Sequence, residues 1–316
     1  MRKGQNPAKF VEGVHHPKQV TVAVLSYIPF LSGFHEQSLE VLKACLNSLS
    51  ANTTVDHDLL VFDNGSCREA VDYLVDKHQQ GMIQYLMLSE KNLGKGGAWN
   101  IILEGAPGEI VAYTDSDALF YEGWLEASLE LLDTFPNVGM VTSRPFRTPP
   151  ELYSATVSWA EGNAEARLER GQFIDWDVFR DFDLSLGQEE SDIRERYERT
   201  EDVRLTYRGV AAMAGGSHYQ FVSRKSVLKE FLPFEMDRPM GQVRQLDRRM
   251  NEAGYLRLMT VEPLMMNMSN TLIEPKADDQ SARPGASLKQ RLLHFGPIKR
   301  VLLALYNRIF HWYYSD

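Results

Sequence analysis

Residues 110–117, Ile-Val-Ala-Tyr-Thr-Asp-Ser-Asp, decide the fold that the sequence predicts. Four apolar residues predict a buried strand, which ends in Asp115, Ser116 and Asp117. In an extended backbone, carboxylates two residues apart point to the same side. Because open α/β sheets bind ligands at the carboxyl ends of their strands, this pair suits Mg²⁺ or Mn²⁺, which in turn can hold a diphosphate. The alternative is that both aspartates only cap the following turn and helix.

The surrounding sequence continues an α/β pattern. Short apolar runs alternate with amphipathic stretches, which is typical of βα units in a Rossmann-like, mainly parallel sheet flanked by helices. Charge-rich residues 146–208 lack clear strand alternation, so we expect a helical insertion there. The predicted organisation is one α/β domain over residues 18–272, divided into halves at 18–145 and 146–272, followed by a linker and helical tail at 273–316.

The composition argues against two classes of protein. A net charge of −9 does not suit general nucleic-acid binding, because a phosphate backbone requires a basic face. No stretch approaches the roughly 20 apolar residues of a membrane helix, and the first 20 residues are polar without a signal-peptide core. Cys45 and Cys67 show neither metal-ligand spacing nor a disulfide framework, which favours a reducing compartment. We therefore expect a cytoplasmic protein.

Two further loops are predicted at the same edge of the sheet. Asp63 opens Asp-Asn-Gly-Ser after the second strand, where its carboxylate could accept an N–H of a nucleotide base; Asn-Gly is equally a strong turn signal. Residues 92–100, Asn-Leu-Gly-Lys-Gly-Gly-Ala-Trp-Asn, combine glycines with Lys95 and a helix start, which favour an anion. This loop is neither a Walker loop nor a dinucleotide-binding turn, and a flexible βα loop is the alternative.

The order of these motifs resembles the family 2 glycosyltransferases of GT-A fold. Four motifs follow one another within residues 20–145: a strand that ends in DNGS, then N-x-G-x-x-x-A-x-N, then G-E-I-V-A-Y-x-D-S-D, and last G-W-L. The similarity continues more loosely through AGGSHYQFVSRK. The family uses a nucleotide-diphosphate sugar and a divalent cation, Mn²⁺ or Mg²⁺. The resemblance therefore implies that residues 18–145 bind the nucleotide-sugar and that residues 146–272 face the acceptor.

The resemblance also implies individual roles. Asp115 and Asp117 would hold the metal and the diphosphate, and Asp63 would recognise the base. The remaining predicted donor-binding residues are Ser26, Tyr27, Asn92, Gly94, Lys95, Asn100 and Ser116.

The sequence departs from the family pattern where a catalytic base is expected. Family members usually carry an acidic pair before the helix that ends Arg-x-x-x-x-Gly-Tyr, and Gln242 and Val243 occupy that place. Asp247, on this helix, is the predicted base, with Asp237 and Glu235 in the preceding loop as alternatives. A surface ion pair between Asp247 and the neighbouring arginines of the helix is the structural alternative.

His218, Gly216 and Trp159 are predicted on the acceptor side. His218 follows a Gly-Gly-Ser loop between apolar strands, although a structural histidine fits this position equally well. Trp159 could stack on a sugar face or simply pack in the core. Where the family often has a metal-ligating histidine, this sequence has Asn267.

The tail at 288–314 mixes basic with apolar and aromatic residues. This pattern suits an amphipathic helix that contacts the inner face of the plasma membrane, and equally one that packs on the domain or on a second copy of the chain. The expected function is inverting transfer of a UDP- or dTDP-linked sugar to the hydroxyl of a glycan, lipid-linked or other acceptor, as in polysaccharide biosynthesis. The alternatives are a nucleotidyltransferase of similar sheet topology and a non-catalytic nucleotide-sugar-binding protein.

Overall fold

A ten-stranded sheet organises the computed structural model, which describes residues 4–11, 13–237 and 244–272. Within this sheet the strand order is β3-β2-β1-β4-β10-β6-β11-β9-β8-β7. The described residues group into one compact unit that ends at Leu272. The predicted tail, and Gln242 with Val243, lie outside the described residues.

The strands and helices alternate along the first half of the chain, as predicted. The strands are β1 (Val20–Ser26), β2 (His57–Asp63), β3 (Tyr85–Leu88), β4 (Ile110–Asp115), β5 (Ala118–Phe120), β6 (Val138–Thr142), β7 (Ala166–Gly171), β8 (Asp202–Tyr207), β9 (Val210–Ala214), β10 (Gln220–Arg224), β11 (Leu256–Met259) and β12 (Met265–Asn267). The helices are α1 (Ser38–Asn52), α2 (Arg68–Gln79), α3 (Gly94–Gly105), α4 (Trp124–Thr134), α5 (Ser154–Glu161), α6 (Trp176–Ser185), α7 (Glu190–Arg199), α8 (Lys225–Lys229) and α9 (Arg244–Glu252).

The parallel strands β1 to β4 bring their carboxyl ends together. In the β1–β2 register Ser26 lies opposite Asp63, and in the β1–β4 register Leu25 lies opposite Asp115. Strand β10 runs antiparallel between β4 and β6, and β11 is parallel to β6. The α/β class with a mainly parallel central sheet flanked by helices is therefore confirmed, and the polar residues predicted at the strand ends share one edge.

Alternation along β1 explains why helices cover both faces of the sheet. Val22 and Val24 belong to a core cluster with the apolar face of α1, whereas Ala23 belongs to a second cluster with α3, which includes Trp99. Successive residues of a strand point to opposite faces, so a strand apolar on both faces is buried on both sides. This burial holds the carboxyl ends of the strands rigidly.

The helical insertion predicted at 146–208 contains strands as well as helices. The segment contains α5, α6 and α7, but β7 and β8 pair antiparallel at the end of the main sheet. Strand β7 lies at the sheet edge, where Arg167 and Glu169 face outwards and form an ion pair while Leu168 packs against the core. Because an edge strand exposes charged side chains, its sequence lacks the apolar run by which buried strands are recognised. Residues 210–222 form β9 and β10, which are separated by residues 215–219, where Gly215 has φ of +137°.

Candidate active site

A cavity of about 350 Å³ lies at the carboxyl ends of β1 and β4. Here it is called the first cavity. Its lining brings together six of the predicted donor-binding residues, namely Tyr27, Asn92, Lys95, Asp115, Ser116 and Asp117. Neighbouring residues complete the lining: Phe34, His35, Ser38, Asn64, Ser269 and Asn270. The strand register given above explains this convergence.

Asp115 is held by two partners in the first cavity. Lys95 Nζ donates to Asp115 Oδ2 at 2.5 Å, and the Tyr113 hydroxyl donates to Asp115 Oδ1 at 2.6 Å. Burial raises the pKa of Tyr113 well above its ordinary value, an effect that the Asp115 charge reinforces, so the phenol remains a donor. Lys95 thus places a positive charge at the sheet edge, on the first turn of α3.

Asp117 differs from Asp115 because its carboxylate lacks a cationic partner in direct contact within the described residues. Burial raises its pKa to about 7, and the neighbouring charge of Asp115 adds to this effect, while Lys95 opposes it. Two close carboxylates, one of them destabilised as an anion, form a site that a hard divalent cation would stabilise. The oxygen donors therefore fit Mg²⁺ or Mn²⁺, with Asp117 as the available ligand and Asp115 as a ligand only if Lys95 moves away. Among the residues that the structure describes, no group of three or more His, Cys, Asp or Glu side chains could hold a metal.

Asp63 and Ser26 are fully buried behind the first cavity rather than lining it. Asp63 Oδ2 accepts the N–H groups of Gly65 and Ser66, at 3.2 and 3.0 Å, so this oxygen forms the turn that the sequence allowed as an alternative. Asp63 Oδ1 and Ser26 Oγ are buried without a hydrogen-bond partner in the described part of the chain. A buried polar atom without a hydrogen-bond partner lowers the stability of the fold. The two residues that carry these atoms, Ser26 and Asp63, lie opposite each other in the β1–β2 register. Base recognition by Asp63 stays a prediction.

The loop before α3 is organised around Asn92. Asn92 Oδ1 accepts the N–H of Gly94 at 2.7 Å and the side-chain amide of Asn64 at 3.0 Å. Gly94 has φ of +69°, a conformation that favours glycine, and is buried beside the cavity lining. Asn100 does not share this role: its amide donates to the Phe234 carbonyl and its carbonyl oxygen accepts the Phe234 N–H. Asn100 thus links distant segments of the chain, and its role in donor binding stays a prediction.

The loop after β1 places Phe34 and His35, which sequence reasoning missed, beside the predicted Tyr27. Tyr27 is 41% exposed and Phe34 is 61% exposed, and both line the first cavity beside His35. The missed signal was the cluster of aromatic residues in a segment that directly follows a predicted strand. Exposed rings at a cavity mouth can stack on a planar base or a sugar face.

A second cavity, of about 680 Å³, contains the acceptor-side residues His218 and Gly216 together with Asp247. Its other lining residues include Phe146, Phe182, Arg244 and Arg248. Asp247 is not paired with the arginines of its own helix. Instead, Asp247 Oδ1 accepts from Arg257 Nη2 at 2.5 Å, and Asp247 Oδ2 lies 2.6 Å from His218 Nδ1.

Arg257 is the buried anchor of this group, and sequence reasoning missed it. It is fully buried, and burial lowers its pKa, an effect that the negative charge of Asp247 opposes. Its guanidinium also donates to the carbonyls of Leu152 and Gly216, at 2.5 and 2.6 Å. An arginine inside the apolar strand β11 is the sequence signal, because a charged side chain in a buried strand requires a buried partner.

Three predicted residues lie away from both cavities. Glu235 and Asp237 are exposed in the loop before α9 and are not part of either cavity lining. Trp159 packs against Phe135 and Tyr207, with ring centroids 5.8 and 5.2 Å apart. These contacts favour core packing, the alternative that the sequence allowed, and the acceptor-side role of Trp159 stays a prediction.

Comparison with known proteins finds a family to which about half of the chain is similar. A family model described as glycosyl transferase family 2 matches residues 34–182, which include the first-cavity residues from Phe34 to Asp117. Residues 34–182 are thus similar to glycosyl transferase family 2. The α/β fold with its mainly parallel sheet agrees with that similarity.

Individual glycosyltransferases show more limited similarity. An uncharacterized glycosyltransferase of Nostoc sp. is 29% identical over 100 residues, a match that covers 32% of this chain and 31% of that protein. Residues 1–349 of Staphylococcus aureus TarS align with a TM-score of 0.45 at 14% identity, over 78% of this chain and 59% of that one. The mannosyltransferase PcManGT from Pyrobaculum calidifontis, solved with GDP-Man and Mn²⁺, gives a TM-score of 0.43 at 17% identity, over 79% of this chain and 58% of that one. This chain thus spans only part of the proteins that it matches.

No helix in the described part of the chain is both long and apolar enough to cross a bilayer.

Proposed function

We propose that this protein transfers a sugar from a nucleotide-diphosphate sugar, UDP- or dTDP-linked, to an acceptor hydroxyl with inversion at the anomeric carbon. The observation that carries the proposal is the first cavity of a family 2 glycosyltransferase fold, with Asp115, Asp117 and Lys95 at its floor. A diphosphate leaving group carries negative charge, and both Lys95 and a cation on Asp117 would stabilise that charge as the sugar departs.

A divalent cation is part of the proposal because the residues fit it. Asp117, and Asp115 once it is released from Lys95, would hold Mg²⁺ or Mn²⁺ together with the diphosphate oxygens. The cation would neutralise the leaving diphosphate. Lys95 lines the same cavity and contacts Asp115, so we propose that it exchanges Asp115 for a phosphate oxygen when the donor binds.

The rest of the donor would occupy the remainder of the first cavity. We propose that the exposed rings of Tyr27 and Phe34 stack on the base or ribose and that Asp63 Oδ1 accepts a base N–H. For the last contact the loop at Asn64 and Gly65 has to admit the base, because Asp63 lies behind the cavity lining. The acceptor would enter through the second cavity.

The partners proposed are a nucleotide-sugar donor and a glycan, lipid-linked or other hydroxyl acceptor. Peripheral membrane contact or self-association through residues 288–314 stays a prediction, because these residues lie outside the described part of the chain. Liposome co-sedimentation that falls with rising salt would support membrane contact, since exposed charges are screened by salt.

The proposal is tested by thermal shift with UDP-, dTDP- and GDP-linked sugars, each with and without Mn²⁺. A ligand that binds only the native state stabilises it by about 2.7 kcal/mol at a hundredfold excess over its dissociation constant, so the true donor class raises the melting temperature. We expect the largest rise with a UDP- or dTDP-sugar in the presence of Mn²⁺. No rise with any of these donors would overturn the proposal, and incorporation of a nucleoside monophosphate into product would indicate a nucleotidyltransferase.

A further inference from the structure

His218 and Asp247 form a hydrogen-bonded pair at the wall of the second cavity. The Asp247 carboxylate is buried, with its side chain 6% exposed, whereas the His218 side chain is 25% exposed and lines the cavity. Both Asp247 oxygens are occupied, one by Arg257 and one by His218 Nδ1. Asp247 is therefore buried and already hydrogen-bonded through both oxygens, which favours a positioning role over direct contact with an acceptor.

The arrangement instead leaves one imidazole nitrogen free. Nδ1 faces Asp247, so a carboxylate acceptor fixes the tautomer with the proton on Nδ1. Nε2 then carries a lone pair, and it has no hydrogen-bond partner among the residues that the structure describes. A neutral imidazole with a free Nε2 and a buried carboxylate behind Nδ1 is an effective general base.

The position of His218 relates the two cavities. The next residue, Tyr219, accepts the N–H of Asp115 through its carbonyl at 2.9 Å, so the His218 backbone lies beside the strand end that forms the floor of the first cavity. On the other side, Arg257 Nη2 donates to the Gly216 carbonyl and so holds the loop that carries His218. Donor and acceptor cavities therefore adjoin the same short segment.

We propose that His218 is the catalytic base that deprotonates the acceptor hydroxyl, and that Asp247 and Arg257 are positioning residues. This inference rests on the proposed function and assigns its base to the imidazole in place of the Asp247 carboxylate. The acceptor O–H proton moves to Nε2 while the acceptor oxygen forms its bond to the anomeric carbon. The bond from that carbon to the diphosphate oxygen breaks, and its electron pair leaves with the diphosphate. The Asp247 carboxylate stabilises the imidazolium that results.

The kinetic test uses release of nucleoside diphosphate from the donor that gives the largest thermal shift, with water as the acceptor. His218→Gln should lower kcat by roughly 10²–10⁴-fold and leave the donor affinity, measured by calorimetry with the nucleoside diphosphate, unchanged within about twofold. Imidazole added to His218→Ala should restore part of the rate. His78→Gln is the matched control, because His78 also bonds through Nδ1, to the Ile83 carbonyl, but lies on α2 away from both cavities.

A second measurement does not depend on activity. In protein labelled with ¹⁵N-histidine, His218, assigned by its loss in His218→Gln, should show the tautomer protonated on Nδ1, and Asp247→Asn should abolish this preference. Turnover in His218→Gln within about threefold of wild type, or a wild-type His218 protonated on Nε2, would overturn the assignment while leaving the proposed function intact. A wild-type chain that binds and turns over none of the donors would overturn the proposed function, and the base assignment with it.

Discussion

Replacing Arg257 by methionine should destabilise the protein strongly. The guanidinium is fully buried and donates to Asp247 and to two backbone carbonyls, those of Leu152 and Gly216. Methionine fills a similar volume, so the main cost is electrostatic and not a cavity. Removing one partner of a buried ion pair leaves the other charge uncompensated, which costs about 3–5 kcal/mol.

The assay is equilibrium unfolding in urea followed by circular dichroism. The matched control is Arg224→Met, because Arg224 pairs with Asp133 at 2.6 Å on the surface, where the two side chains are 45% and 65% exposed. An exposed ion pair contributes about 0–1 kcal/mol, so the control should lose little. A double variant, Arg257→Met with Asp247→Leu, should recover most of the stability, since a buried pair replaced by apolar residues of similar volume is often neutral. A loss below about 1 kcal/mol in Arg257→Met, or a double variant less stable than the single one, would refute the reasoning.

Three other results are expected from the described contacts. Lys95→Met should strengthen Mn²⁺ binding in the absence of nucleotide, because the substitution releases Asp115. The same variant should bind nucleoside diphosphate more weakly by about 1.5–3 kcal/mol. Calorimetry measures both affinities, and unchanged values would contradict the proposed exchange. Iodoacetamide should label Cys67 and not Cys45 in the folded protein, since Cys45 is fully buried and burial raises the pKa of its thiol. Mass spectrometry that finds the two cysteines labelled at equal rates would contradict this expectation. Trp159→Ala should lower the free energy of unfolding in urea by about 3 kcal/mol and leave the kinetics of donor turnover unchanged. A change in turnover without a change in stability would instead support the acceptor-side role of Trp159.

The parallel half of the sheet was predictable because its signals are local. Buried strands such as β4 show continuous apolar runs, and the polar residues that follow each run fix the edge at which a ligand binds. The register then brings Asp115, Asp117 and Lys95 to one cavity, as the motif order indicated. The charged edge strand β7 lacked that signal, so its segment was taken for helix.

The second cavity depends on contacts between distant parts of the chain. The spacing along α9 predicted an arginine of the same helix as the partner of Asp247. Its actual partners, His218 and Arg257, come from other strands and loops. Ser66 shows the same limit, because its hydroxyl oxygen accepts the Ile28 N–H across the sheet edge, while Cys67 is the N-cap residue of α2. Side-chain partners of this kind are fixed by tertiary structure and not by spacing along the sequence.

The central claim is that the first cavity binds a nucleotide-diphosphate sugar for transfer. Its most direct test is the release of nucleoside diphosphate from UDP- and dTDP-linked hexoses, compared between the wild type, Asp117→Asn and the exposed control Glu122→Gln. We expect release by the wild type and by Glu122→Gln, and a loss of about 10²-fold or more in Asp117→Asn, because stabilisation of the leaving diphosphate is lost. Equal rates in the wild type and Asp117→Asn, or no release from any donor by the wild type, would contradict the claim.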